Sequence, residues 1–243
     1  MNSLKLREQF EQILSNYRIS DSGKELLASL KLVLLAGPSA AGRNTIIDQL
    51  VKTGRYRLLV SDTTRHPRIN DGVREQNGVN YWFRSEEQVL DDLEKGEFLE
   101  AEIIHDQQVS GISMRELKQA IAENKIAVVD VEIGGFNNIL SSKPDPVGIL
   151  VLPPSFDEWM SRLHLRANMP EVEILNRLRT GARIFSEAVS QSPAQIVIND
   201  QLTRAVNEID ALAGGAIENN SPAKLRLASE LLKRTQEYLA DRS

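Results

Sequence analysis

Hydrophobic and polar positions follow two kinds of pattern along this chain, and the two kinds alternate from residue 31 onward. Short apolar runs predict β-strands, and stretches whose apolar residues recur every three or four positions predict helices. The predicted strands read LKLVLLAG, YRLLVSD, VNYWFR, FLEAEII, IAVVDVEI, VGILVLPP and QIVIND. The predicted helices cover residues 43–53, 85–95, 113–124, 155–166, 171–190 and 201–213. Strands that alternate with helices predict an α/β fold.

The strands differ in how many of their faces are apolar. LVLLA, IAVVDV and GILVL are apolar on both faces, which is typical of parallel strands that helices cover on each side. VNYWFR and FLEAEII alternate more clearly and predict a small antiparallel patch. We therefore expect a parallel core sheet flanked by helices, with a smaller mixed sheet beside it.

The two ends of the chain have helical patterns of their own. Residues 3–18 place Leu4, Phe10, Ile13 and Leu14 among charges at roughly helical spacing, and ISDSGKE then breaks the pattern. AGGAIENNSP reads as a linker, and residues 222–240 form a last amphipathic pattern. We divide the chain into a helical extension (1–30), a main domain (31–213) and a C-terminal helix (214–243). The sequence leaves open whether the terminal helices pack on the main body or on a second subunit of a homodimer.

Composition narrows the class of protein. The chain has 243 residues, 41% of them hydrophobic, and a net charge of −5, so bulk charge does not predict a nucleic-acid partner. The chain contains no cysteine, which excludes disulfides, cysteine-based zinc sites and thiol catalysis. No apolar run approaches the roughly 20 residues that a membrane helix needs, and MNSLKLREQFEQIL lacks the apolar stretch of a signal peptide. We expect a cytoplasmic protein without a membrane partner.

The segment GPSAAGRNT lies between an apolar run and the helical pattern IIDQLVK. A turn that carries Gly37 and Gly42 allows backbone N–H groups to surround a phosphate at the positive end of the next helix. The glycine spacing alone is weak evidence, because an ordinary tight turn explains it about as well. Arg43 and Asn44 also stand where the phosphate-loop motif has Lys and Ser or Thr.

The segment VSDTTRHPR ends an apolar strand with two arginines three positions apart. Arg65 and Arg68, beside the hydroxyl of Ser61, would make a fork for a phosphate dianion. An isolated pair with this spacing is more often a solvated polar turn, so the segments that follow decide between the two interpretations.

Those segments read, in order, NYWF, GEFLEAE, VVDVEIGG, PPSFDEWMSRLHLR and IVINDQL. Together with VSDTTRHPR, they resemble the guanylate kinase family over roughly residues 31–213. Several short motifs in a shared order are more specific than any one of them. The resemblance implies a P-loop NTPase core, a small mixed nucleoside-monophosphate-binding subdomain at about 62–112 and a helical lid at about 155–182. It also implies that ATP, with Mg²⁺, donates a phosphoryl group to GMP.

The resemblance assigns roles by position. The ATP phosphates would be bound by Gly37, Ser39, Ala41, Gly42, Arg43, Asn44 and Thr45. The acceptor would be bound by Ser61, Arg65, Arg68, Tyr81, Glu100 and Glu132, with Glu100 accepting two hydrogen bonds from the guanine edge. The phosphoryl transfer itself would involve Arg43, Asp130, Arg162 and Arg166, to which Arg177 is a further candidate. Asn44 and Asp130 would be the ligands of a metal ion.

The sequence also departs from the family pattern. Arg43 and Asn44 replace the lysine and the hydroxyl of the phosphate loop, and Ala40 stands at a family glycine. Glu132 replaces an aspartate, and HDQQVSG replaces an aromatic segment near the base. The loop between Arg68 and Tyr81 is longer than is usual in the family.

Three interpretations follow from these departures. The first is a guanylate kinase that converts ATP and GMP to ADP and GDP, weakened by its phosphate loop. The second is a catalytically inactive module of the same fold that binds a nucleotide or a phosphorylated partner. The third is a kinase for another phosphate acceptor.

Overall fold

A computed structural model describes residues 4–70, 72–104, 106–143, 145–165, 170–190, 193–216 and 220–242. The chain divides into two compact units. The mixed-sheet unit comprises Met1–Lys31, Arg57–Val129 and Ser141–Asp145, and the parallel-sheet unit comprises Leu32–Tyr56, Asp130–Leu140 and Pro146–Ser243.

The helices are α1 (Arg7–Asn16), α2 (Asp21–Ser29), α3 (Arg43–Lys52), α4 (Glu86–Glu94), α5 (Met114–Ala122), α6 (Ile133–Ser142), α7 (Phe156–Leu165), α8 (Glu171–Val189), α9 (Leu202–Ala213) and α10 (Pro222–Ala240). The strands are β1 (Leu32–Ala36), β2 (Tyr56–Leu58), β3 (Asp62–Thr63), β4 (Ile69–Asn70), β5 (Val73–Arg74), β6 (Trp82–Phe83), β7 (Phe98–Ile104), β8 (Gln108–Ser113), β9 (Ile126–Asp130), β10 (Val147–Leu152) and β11 (Gln195–Ile198). None of the helices in the described part of the chain is both long and apolar enough to span a bilayer.

The core of the parallel-sheet unit contains strands β1, β10 and β11. β10 lies in the middle and pairs in parallel with β1 on one side and β11 on the other. All five residues of β1 are buried, as are five of the six residues of β10. The prediction of a parallel sheet flanked by helices is confirmed, and its reason is the apolar character of both faces of each strand.

The C-terminal helix α10 packs on α8 and α7 of its own chain. Arg234 of α10 donates two hydrogen bonds to Asp157 of α7, at 2.8 and 2.9 Å. The guanidinium group also lies 4.7 Å from the ring centre of Phe156, which contacts Tyr238. A homodimer stays a prediction.

The mixed-sheet unit is built on a four-stranded sheet with the order β6-β3-β8-β7. β8 pairs antiparallel with β7 and with β3, whereas β6 pairs in parallel with β3. The two predicted strands VNYWFR and FLEAEII therefore both belong to the mixed sheet, but they do not pair with each other. Strand β8, which reads QVSGIS, was not predicted because its residues are mostly small and polar.

The N-terminal helix α1 completes the core of this unit. Phe10 is fully buried in a cluster with Leu93, Phe98 and Val109. The hydroxyl group of Tyr17 donates to the carbonyl oxygen of Phe98 at 2.7 Å and accepts from its N–H at 3.1 Å. Helix α2, which the sequence pattern did not predict, follows directly and begins at the N-cap Ser20. Helices α1 and α2 are thus part of the mixed-sheet unit.

Candidate active site

The turn between β1 and α3 is closely enclosed by its surroundings. Gly42 has a φ of +93° and is the N-cap of α3. A Cβ atom at Gly42 would lie 2.2 Å from Nδ2 of Asn199, and one at Gly37 would lie 2.4 Å from the carbonyl oxygen of Val151. Both positions therefore require glycine, which explains the spacing that the sequence displays.

Ala40 adopts the left-handed conformation, with a φ of +64°. This conformation is unfavourable for a residue with a Cβ atom. The position is the one at which the family pattern has glycine, a residue that tolerates this conformation better than alanine. The N–H of Ala41 donates to the carbonyl oxygen of Pro38 at 3.1 Å and closes the turn.

Side chains of the parallel-sheet unit hold the carbonyl groups of this loop from outside. Asn199, which is 7% exposed, donates from Nδ2 to the carbonyl oxygen of Ala41 at 2.8 Å. Trp159 donates from Nε1 to the carbonyl oxygen of Ser39 at 2.7 Å. Sequence reasoning missed Trp159, since an aromatic residue on a helix gives no local sign of its distant partner.

Two of the predicted arginines lie at the loop or at its supports. Arg177 donates to the hydroxyl oxygen of Ser39 at 2.8 Å. Arg162 donates from both terminal nitrogens to the carbonyl oxygen of Asn199, each at 3.2 Å. Arg166 lies outside the described residues. Arg177 of α8 therefore contacts the phosphate loop itself, whereas Arg162 of α7 contacts Asn199, which supports the loop.

Arg43 forms an ion pair with Asp130 at the end of β9. Its Nη1 lies 2.6 Å from Oδ1 of Asp130, and the side chains are 17% and 30% exposed. The contact is electrostatic, because Oδ1 has no directed hydrogen bond with any residue that the structure describes. Burial raises the pKa of Asp130, which Arg43 opposes and the neighbouring charge of Glu132 reinforces. The cation at the lysine position is thus engaged by a carboxylate.

The remaining predicted residues of this unit are exposed. Asn44 and Thr45 occupy the first turn of α3, and both are exposed. Glu132, two positions beyond Asp130, is exposed as well. Among the residues that the structure describes, no group of three or more histidine, aspartate or glutamate side chains could hold a metal ion.

The predicted acceptor residues other than Glu132 lie in the mixed-sheet unit. Arg65 is stacked on aromatic rings, 4.6 Å from the centre of the Tyr81 ring and 5.6 Å from that of Phe83. Ser61 precedes β3, and its carbonyl oxygen accepts from the N–H of Trp82 at 2.9 Å. Glu100 lies on β7, opposite Ile112 of β8. Arg65 and Tyr81 are therefore brought together as expected.

Glu75 is a partner of the arginine pair that sequence reasoning missed. Its two carboxylate oxygens accept from Nη1 and Nη2 of Arg65 at 2.5 and 2.8 Å. One of them also accepts from the N–H of Arg68 at 2.8 Å. The side chains of Arg65 and Glu75 are only 11% and 9% exposed. The hydrogen bonds from Arg65 lower the pKa of Glu75 to about 2.

A second ionic network supports the strand that carries the acceptor residues. Asp62 is 1% exposed and accepts from Arg115 at 3.0 and 3.2 Å, with Arg84 at 3.5 Å. Burial raises the pKa of Asp62, and the two arginines oppose that shift. Beside it, Trp82 donates from Nε1 to the buried carboxylate of Glu116 at 2.9 Å. These contacts stabilise the sheet around β3 and β6.

Comparison with known proteins identifies the family. The family model described as Guanylate kinase matches residues 29–213. Guanylate kinase from Desulfitobacterium hafniense (strain Y51) is 34% identical over 183 residues, which cover 74% of this chain and 88% of that protein. Guanylate kinase 1 from Oryza sativa subsp. japonica is 30% identical over 187 residues, 75% of this chain, and the chain spans about half of its length (47%).

A solved structure agrees on the fold. The crystal structure of guanylate kinase from Anaplasma phagocytophilum matches with a TM-score of 0.57 and 19% identity, covering 85% of this chain and 95% of that one. The family model, the relatives and the fold lead to the same conclusion: this chain belongs to the guanylate kinase family.

Proposed function

We propose that this protein transfers the γ-phosphoryl group of ATP to GMP, giving ADP and GDP. The observation that supports this most directly is the phosphate loop, whose glycines fit without space for a Cβ and whose outer carbonyls are bound by Trp159 and Asn199. Such a transfer depends on positioning and on neutralising charge, so it requires no protein nucleophile.

At the ATP end, the backbone of Gly37, Ser39, Ala41 and Gly42 would surround the phosphates, with Arg43, Asn44 and Thr45 at the start of the helix. Helix α3 would contribute the positive end of its dipole. Arg162 and Arg177, which contact the loop and its supports, would neutralise the charge that develops on the transferred group.

At the acceptor end, Ser61, Arg65, Arg68 and Tyr81 would bind the phosphate of GMP. Glu100 would accept hydrogen bonds from the guanine edge, and Glu132 would be a further residue of the acceptor site. The guanidinium group of Arg65 already donates two hydrogen bonds to the carboxylate of Glu75. Nη1 of Arg65 also donates to the carbonyl oxygen of His66 at 3.0 Å. The acceptor phosphate would therefore be bound mainly by the side chain of Arg68, unless it displaces Glu75 from Arg65.

The donors fit a Mg²⁺ ion that arrives with ATP. Asn44 offers an amide oxygen, and Oδ1 of Asp130 is buried without a hydrogen bond to the described part of the chain. Mg²⁺ in nucleotide sites takes one or two protein oxygens besides phosphates and water, so Asn44 and Asp130 would hold it. The ion would neutralise negative charge on the phosphates. Arg43, 2.6 Å from Asp130, would compete with the ion for this carboxylate.

That competition favours a second candidate function. Arg43 already replaces the mobile ammonium group of the family lysine. If its guanidinium group also stays on Asp130, it would not reach the phosphates, and the chain would be an inactive module that binds a nucleotide or a phosphorylated partner. The segment HDQQVSG, which replaces an aromatic segment near the base, and the long loop between Arg68 and Tyr81 favour a third candidate, a kinase whose acceptor is not GMP.

A coupled assay with ATP, Mg²⁺ and a panel of nucleoside monophosphates separates these candidates. We expect turnover with GMP and a preference for GMP over AMP. In Glu100→Gln, the KM for GMP should rise at least tenfold, because the charged double acceptor is lost, while the KM for AMP stays the same. Glu97→Gln, which removes an exposed carboxylate paired with Lys118, is the matched control.

Each other outcome has a defined meaning. Binding of GMP without turnover of any monophosphate would support the inactive module. Preference for a different monophosphate would support the third candidate. An equal effect of Glu100→Gln on GMP and AMP would show that Glu100 does not read the base.

A further inference from the structure

Trp159 of α7 is fully buried, and its indole N–H binds a carbonyl oxygen of the phosphate loop. Its ring packs edge-on against Phe185 at 5.1 Å and against Phe156 at 6.1 Å. Gly181 leaves the necessary room, because a Cβ atom there would lie 2.3 Å from the indole ring. Packing therefore fixes the orientation of the ring, and with it the direction of the N–H group, which donates to Ser39.

The Ser39 carbonyl and the Ala40 N–H belong to one planar peptide group. In a trans peptide, these two groups point in opposite directions, so a bond that fixes the carbonyl also fixes the N–H on the other side. Asn199 acts in the same way on the peptide group between Ala41 and Gly42. It binds the Ala41 carbonyl oxygen and thereby orients the N–H of Gly42. Two N–H donors of the loop are thus directed by side chains that lie behind them.

The backbone at Ala40 makes such a constraint necessary. The residue has a φ of +64°, a conformation that an alanine leaves readily when nothing opposes the change. Rotation of the 39–40 peptide would relieve the strain, but it would also break the hydrogen bond from Trp159. A buried indole N–H without a partner is unfavourable. The cost of losing this hydrogen bond therefore opposes the relief of backbone strain at Ala40.

We propose that Trp159 is a positioning residue of the phosphate loop. Its indole N–H holds the Ser39 carbonyl and thereby keeps the Ala40 N–H presented to the phosphates of the nucleotide. The proposal deepens the proposed function and rests on it, because a nucleotide phosphate is the ligand for which the loop is arranged.

The test compares Trp159→Phe with Trp82→Phe. The first variant keeps an aromatic ring against Phe185 and loses the donor to Ser39. The second loses a donor of the same kind, which binds Glu116 in the mixed-sheet unit, and leaves the phosphate loop unchanged. The chain contains only these two tryptophans, so the pair is complete. Replacement of Trp159 by β-(3-benzothienyl)alanine keeps the size of the indole and removes only its N–H, which covers the case in which phenylalanine prevents folding.

Two measurements give the answer. Amide hydrogen exchange of the ligand-free proteins is read at Ala41, whose N–H donates to the carbonyl oxygen of Pro38 within the loop. It should be about tenfold faster when the Trp159 donor is absent and unchanged in Trp82→Phe. In Trp159→Phe, the dissociation constant for ATP should rise about tenfold, equivalent to about 1.4 kcal/mol. The dissociation constant for GMP should stay the same.

The outcomes distinguish the proposal from the function on which it rests. Wild-type exchange in the loop, together with wild-type ATP affinity, would overturn the positioning role even if Trp159→Phe unfolds at a lower urea concentration. If the wild-type protein binds no ATP, the proposed function fails, and the exchange measurement still decides whether Trp159 holds the loop.

Discussion

Replacement of Glu75 by glutamine removes the charge that faces Arg65. The two side chains are almost fully buried and share two short hydrogen bonds. Loss of one partner from a buried pair commonly costs about 3–5 kcal/mol, because the other charge is left uncompensated. The amide keeps one acceptor oxygen, and the pair retains some contact with water. We therefore expect Glu75→Gln to lower the free energy of unfolding by about 2–3 kcal/mol at pH 7.

The pKa of Glu75 gives an independent estimate and the dependence on pH. The carboxyl group has a pKa of about 2 in the folded protein, against an ordinary value of 4.5, a difference that corresponds to at most about 3 kcal/mol. A lowered pKa means that the stabilisation is fully present above pH 4.5 and is lost as the pH falls towards 2. The variant and the wild type should therefore approach each other in stability over that range.

Urea unfolding followed by circular dichroism at pH 7, 5 and 3 measures both effects. The matched control is Glu11→Gln, which removes an exposed carboxylate 2.7 Å from Arg7 and should cost less than about 0.5 kcal/mol. Two results would refute the reasoning: equal losses in the two variants at pH 7, or a loss in Glu75→Gln that stays the same between pH 7 and pH 3.

Two further predictions concern the phosphate loop. The double change Arg43→Lys with Asn44→Ser should raise kcat/KM at least tenfold, about 1.4 kcal/mol, because it restores a compact ammonium group and a hydroxyl; steady-state kinetics without a gain would favour the inactive module. Ala40→Gly should stabilise the protein by about 0.5–1 kcal/mol, since glycine tolerates a positive φ. The control Ala211→Gly, inside α9, should destabilise it by about 0.5–1 kcal/mol. Urea unfolding measures both changes, and midpoints that fall in both variants would contradict strain at Ala40.

The sequence by itself determined the features that depend on neighbouring residues. The apolar runs of β1 and β10 predicted buried parallel strands, because a strand that is covered on both faces needs apolar side chains on both faces. Gly37 and Gly42 indicated the turn, because only glycine fits its backbone and its close contacts. The pattern at 85–95 predicted α4, whose capping box between Ser85 and Gln88 is a local device of the same kind.

The sequence was less informative where an element depends on a distant partner. β8 is small and polar, and it forms a strand because β7 and β3 lie on either side of it. Gly111 within it faces the carbonyl oxygen of Glu100, where a Cβ atom would lie 2.3 Å away. Pairing between strands is a non-local contact, so a window of neighbouring residues does not contain it.

Only the tertiary structure decided which side chains meet at the candidate site. Trp159 and Ser39 are 120 positions apart, and their hydrogen bond exists because α7 packs beside the loop. Glu75 has no pattern of its own that links it to Arg65, and a charged residue in a loop is usually solvated. Such contacts form only in the folded chain, where a buried donor or charge without a partner is energetically unfavourable. The sequence thus predicted the family, its loop and its arginines, whereas the folded chain selected the residues that hold them in place.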